Sequence, residues 1–148
     1  MSHSQSLRIL IVEDEILIAL ELESLLQDAG HDVVGIAASS HDAIALGRRM
    51  RPDLAFVDIH LTDGPTGVDA ARRLRELGAT VLFMTANAKR IPEDRAGASG
   101  VIAKPYTERG VHQALAYVLG EGHALSSGSR VTFVPFDGRS RNSRCPQA

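Results

Sequence analysis

The sequence has a single cysteine, Cys145, no surplus of basic charge and no long apolar run. One cysteine cannot close an internal disulfide, so a reducing, cytoplasmic setting is expected. Lys plus Arg is 16 against 18 for Asp plus Glu, and the resulting net charge of −2 argues against bulk nucleic-acid binding. No apolar stretch approaches the roughly 20 residues needed to cross a bilayer. The apolar run at residues 7–12 is too short, and too soon acidic, for a signal peptide. What is present is a chain of 148 residues, 44% hydrophobic and 23% charged, with the size and balance of one globular domain. That length is expected to leave no room for a second full-sized domain.

Two periodicities alternate along the chain. Residues 7–12 are nearly all apolar and rich in β-branched side chains, the pattern of a strand buried on both faces. Residues 15–29 carry Ile18, Leu22, Leu25, Leu26 and Ala29 at helical spacing, and Gly30 stops that helix. A second strand spans 32–37, and a helix capped by Ser39 or Ser40 runs to about Met50. Arg51-Pro52-Asp53 breaks it. A third strand follows and ends at Asp58, before a Gly/Pro-rich loop. Thr66-Gly67-Val68-Asp69 resembles a capping box for a helix to Leu77. Residues 80–84 and 101–103 read as the fourth and fifth strands, and Thr107 caps a last helix. The segment 88–99 is weakly patterned, so any helix there should be short.

Strands alternating with helices imply an α/β fold: a doubly wound, five-stranded parallel sheet of flavodoxin-like order 2-1-3-4-5, with helices on both faces. Such folds bind ligands at the carboxyl ends of the strands, near the switch point in strand order. Those ends carry Glu13-Asp14, Asp58, Thr85 and Lys104-Pro105. Three carboxylates a few Å apart cannot all stay ionised without compensation. A hard divalent cation such as Mg2+, bound through oxygens, supplies it. A carboxylate can also attack phosphorus and become an aspartyl-phosphate, while a metal and a lysine neutralise the developing charge.

Four motifs, Val12-Glu13-Asp14-Glu15, Val57-Asp58-Ile59, Met84-Thr85-Ala86 and Ala103-Lys104-Pro105-Tyr106, stand in the order found in the receiver domain of two-component response regulators. The chain resembles that family over residues 7–120. The resemblance implies that Asp58 is the phosphoacceptor. It further implies that Glu13, Asp14, Asp58 and the backbone carbonyl of His60 hold Mg2+. Thr85 and Ala86 would bind the phosphoryl group, Lys104 would pair with Asp58, and the Lys104-Pro105 bond would be cis. It also implies a partner, a sensor histidine kinase or histidine phosphotransfer protein. Together with the length and charge above, it leads to the expectation of a stand-alone regulator without direct DNA binding, membrane association or ordinary enzymatic turnover. The sequence departs from the pattern at Val101, where the family usually has an aromatic switch residue, at Tyr106, where Phe is common, and at Thr62, where Pro is common. The motifs of the first helix and of Asp58-Ile59-His60-Leu61 look like receivers of alphaproteobacterial stress and light pathways, which pair with HWE-type kinases.

Two other classes stay open. A pseudo-receiver would bind partners without phosphorylation. A small phosphatase of the haloacid-dehalogenase type would need a second Asp where His60 stands. His60 itself reads as a gate or surface residue beside a polar site. Residues 1–6 precede the domain and 121–148 follow it, the latter with a net charge of +2. Within that tail, residues 131–136 are apolar. They read either as part of a frayed terminus or as a strand adding to a sheet edge, on this domain or on a second copy in a homodimer.

Overall fold

The computed structural model describes residues 6–120 and 133–136. Its core is a sheet of β1 (Arg8–Val12), β2 (Asp32–Ala37), β3 (Leu54–Asp58), β4 (Thr80–Thr85), β5 (Gly100–Ala103) and β6 (Phe133–Pro135). The spatial order is β2-β1-β3-β4-β5-β6. The first five strands are parallel in the expected order. The sixth pairs antiparallel with β5, so the sheet is six-stranded and mixed, not five-stranded and wholly parallel. Residues 1–5, 121–132 and 137–148, with Cys145 and most of both extensions, lie outside the described residues.

Helices α1 (Ile16–Asp28) and α4 (Glu108–Val118) cover one face, and α2 (Ser40–Met50) and α3 (Gly67–Glu76) the other. Side chains alternate along β1 accordingly: Ile9 and Ile11 enter the first layer, Leu10 and Val12 the second. Helix α1 buries Ala19, Leu22 and Leu26, while Ala29 is exposed beyond its end. Ser39 caps α2 by accepting from the Asp42 N–H, and Thr107 caps α4 by accepting from the Gly110 N–H. Thr66 does not cap α3. Its backbone is not in the extended conformation of an N-cap (φ −98°, ψ 2°), and its hydroxyl donates to Asp63 Oδ1 at 2.6 Å. Asp63 also accepts from the Ser40 N–H and hydroxyl, which ties the loop after β3 to the start of α2. These Thr66 and Ser40 bonds hold the Asp63 carboxyl well below the usual carboxylate range.

Where a full helix would complete the second layer between β4 and β5, there are two 3-10 turns, Ala88–Arg90 and Arg95–Gly97. Pro92 and Gly97 explain the interruption. Arg95, Ala96 and Gly97 all have positive φ, of 57°, 51° and 78°. Strand β6 fills part of the gap. Phe133 is fully buried on the α1/α4 face beside the Tyr117 ring, with centroids 5.5 Å apart. Phe136 packs on the other face under the Arg95 guanidinium, 4.5 Å from its ring centroid. Gly100 permits this approach, since a Cβ there would lie 2.7 Å from the Phe133 ring.

Candidate functional site

Parallel register brings the strand ends together. Val12 pairs with Val57, so Glu13 follows at the level of Asp58. Asp58 pairs with Met84 and Thr85 with Ala103, so Thr85 and Lys104 close the same rim. The Lys104 N–H donates to the Thr85 carbonyl at 3.0 Å, and the Lys104–Pro105 peptide is cis.

Lys104 Nζ sits between two carboxylates, 2.9 Å from Glu13 Oε1 and 3.0 Å from Asp58 Oδ2. Glu13 and Asp58 are buried, and Asp14 is the least buried of the three acids. One carboxylate oxygen from each of Glu13, Asp14 and Asp58 lies within 4.8 Å of the others. Burial pushes the Glu13 carboxyl up to about 7, against the opposing pull of the Lys104 and Glu15 hydrogen bonds. Burial also works against the Lys104 charge, but the bonds to Glu13 and Asp58 outweigh it and raise that group's pKa. The Lys104 ammonium, in contact with both carboxylates, keeps its charge in this pocket.

The donor set fits a hard divalent cation. Three carboxylates against one ammonium leave excess negative charge, and every donor is oxygen. The atoms are not equally available. Glu13 Oε1 is taken by Lys104 and Oε2 by the Glu15 N–H at 3.1 Å. Asp58 Oδ1 receives only a long 3.4 Å contact from the His60 N–H.

The other residues singled out by sequence divide into two groups. Thr85, Ala86, His60 and Pro105 line one open cavity of about 570 Å3 with Asp58 and Lys104. The Thr85 hydroxyl accepts from the Asn87 N–H at 3.1 Å. Val101 and Tyr106 stand apart from that cavity. Val101 is buried in the sheet, pairing with Phe83 on one side and Val134 of β6 on the other. Tyr106 donates its hydroxyl to the Ile18 carbonyl at 3.1 Å, and burial, helped by the Glu21 and Glu13 charges, pushes it up to about 12.

Two residues of the site carry no signal in the sequence pattern. Gly67 starts α3 so close under β3 that a Cβ would lie 2.0 Å from the Asp58 carbonyl oxygen. Arg90 reaches the cavity from the first 3-10 turn and contacts His60 Nε2 through Nη1 at 3.2 Å.

Comparison with known proteins agrees with this geometry. Residues 9–116 match the family described as response regulator receiver domain. The phyllosphere-induced regulator PhyR of Methylorubrum extorquens is 37% identical over 114 residues, covering 75% of this chain and 43% of that protein. The transcriptional regulatory protein PdtaR of Mycobacterium tuberculosis is 33% identical, covering 68% of this chain and 50% of its own. The chain thus spans half or less of the length of these curated relatives. Among solved structures, the receiver domain of Erythrobacter litoralis PhyR superposes with a TM-score of 0.71 at 33% identity, over 82% of this chain and 96% of that one. With the family matched over most of its length and the acid cluster at its strand ends, this chain belongs to the response regulator receiver domains.

Proposed function

We propose that Asp58 accepts a phosphoryl group from the phosphohistidine of a kinase or phosphotransfer protein, and that the modified domain signals by protein contact or passes the group on. The observation that carries this reading is Lys104 Nζ held between Glu13 and Asp58 at 2.9 and 3.0 Å, at the mouth of an open cavity. An ammonium so placed can neutralise charge on a phosphoryl oxygen as it arrives.

In the transfer, an Asp58 oxygen attacks phosphorus and the P–N bond to the donor imidazole breaks. The electron pair stays on that nitrogen, and with the other ring nitrogen already carrying its proton the donor leaves as a neutral imidazole. Glu13, Asp14, Asp58 and the His60 carbonyl would hold Mg2+, which supplies further neutralisation of the transferring group. The Thr85 hydroxyl and the backbone at Ala86 would turn to the new phosphoryl oxygens, drawing Thr85 away from Asn87. The protein acts on its own Asp58 and turns over no separate substrate.

Incubation with acetyl phosphate, with and without Mg2+, tests this by intact mass. One phosphoryl addition to the wild type, dependent on Mg2+ and lost in Asp58→Asn, is expected. No addition would point to a partner-binding module without phosphorylation. Steady hydrolysis of an added phosphoester would point to a phosphatase.

A further inference from the structure

We propose that Arg90 is a second phosphoryl-binding cation of the site, parked on His60 at rest and drawn to the phosphoryl group once Asp58 carries one. This rests on the phosphoacceptor reading of Asp58 and extends it to a residue outside the four strand-end motifs.

The resting contact is a weak one for a guanidinium. Arginine can only donate, so His60 Nε2 accepts through its lone pair and contributes no opposite charge. Arg90 takes part in no ion pair among the described residues. It nevertheless lines the cavity that holds Asp58, Thr85 and Lys104. A charge-bearing tetrahedral group there would offer several oxygens to a planar fork that now meets one neutral nitrogen. The preferred partner changes when the charge arrives, so the side chain is expected to move.

The backbone carrying Arg90 is tied to the same site. The Asn87 N–H donates to the Thr85 hydroxyl at 3.1 Å. The Asn87 side chain in turn accepts from the Lys89 N–H at 3.0 Å, and its carbonyl from the Arg90 N–H at 3.1 Å. Thr85, Asn87 and Arg90 therefore form one short chain of hydrogen bonds. The Thr85 hydroxyl also donates to the Asn87 carbonyl at 3.3 Å, so if Thr85 turns to a phosphoryl oxygen both of its bonds to Asn87 break and the turn that carries Arg90 is loosened. The 3-10 turn that stands where a helix would join β4 to β5 is what places this arginine at the rim.

The test is calorimetric titration of the full chain with beryllofluoride, a phosphoryl mimic, in the presence of Mg2+. Wild type, Arg90→Ala, Arg90→Lys and His60→Ala are compared, with Mg2+ alone as a control. Arg90→Ala is expected to bind the mimic about fivefold to tenfold more weakly, with Arg90→Lys recovering part of the loss. His60→Ala is expected to bind at least as tightly as wild type, because it releases the arginine. Affinity for Mg2+ alone and melting temperature should not change in the Arg90 variants, which a merely structural role would not allow. Equal affinity in Arg90→Ala and wild type would overturn the assignment. So would a loss in His60→Ala matching that in Arg90→Ala, since the pair would then act as a cover and not as a ligand. A wild type that binds no beryllofluoride would overturn the phosphoacceptor reading, and this one with it.

Discussion

The two flanks of β4 are built by different means. On the β1–β3 side, each functional atom is placed by a backbone ladder: pairing of Val12 with Val57 and of Asp58 with Met84 fixes the acids before any side-chain contact forms. On the β5–β6 side, a three-residue strand adds only a short ladder to β5 and two 3-10 turns stand in for a helix, with Phe133 in the core and Phe136 under Arg95 as anchors. Ordering each residue costs about 1–2 kcal/mol, so a strand this short depends on its aromatic anchors. The first flank is rigid because register leaves it no alternative. The second is removable in principle, because few groups hold it.

The largest expected effect falls on the rigid flank. Gly67→Val adds a side chain where even a Cβ would meet the Asp58 carbonyl oxygen at 2.0 Å and Ile59 Cα at 2.6 Å. Backbone cannot yield as a side-chain tip can, so the variant should lose about 4 kcal/mol or more of stability in urea melts. A change below about 1 kcal/mol would show that α3 can slide and that the flank is softer than its register suggests.

Phe133→Ala attacks the other flank. Removing a fully buried ring should cost about 3–4 kcal/mol. If the flanks are independent, beryllofluoride affinity of the folded variant should remain near that of wild type. A loss comparable to that of Arg90→Ala would instead tie β6 to the site, and wild-type stability would place Phe133 outside the core.

The smallest effect lies at the opposite end of β1 from the acids. His31 is buried, and its Nδ1 accepts from the Leu7 N–H at 3.0 Å. Burial lowers its pKa below the usual 6.5. The unfolded ring therefore takes a proton more readily than the folded one. Its contribution is complete above that value and is lost as pH falls through the folded pKa. The urea midpoint should decline from about pH 6.5 downwards, and His31→Gln should flatten that decline. An unchanged slope would assign the acid sensitivity to other groups.

What could be read from the sequence follows the same division. Strand ends and caps such as Ser39 and Thr107 depend on local pattern, and parallel topology does the rest, so Glu13, Asp58, Thr85 and Lys104 were legible as one cluster. Residues 131–136 stood out as an apolar segment, but pattern alone left two readings of it, and the antiparallel partner comes from the tertiary pairing with β5. Gly67 could not be found because its reason is another strand's carbonyl. Arg90 could not be found because a single 3-10 turn capped by Asn87, not a periodic helix, carries it to the rim. Thr66 has the spacing to Asp69 of a capping box, but its backbone, set by the folded loop, is not in the extended conformation a cap needs.

Strand β6 also bears on how the molecule avoids its own kind. Without it, the sheet would end on Gly100–Ala103, a parallel strand with unpaired backbone groups and an apolar hollow where Phe133 now lies. Such an edge invites a strand from another chain. With it, that side ends on three residues, one of them Pro135, which has no N–H to offer. The short strand thus converts an adhesive border into a blunt one, and clumping in a truncated chain would be its loss made visible.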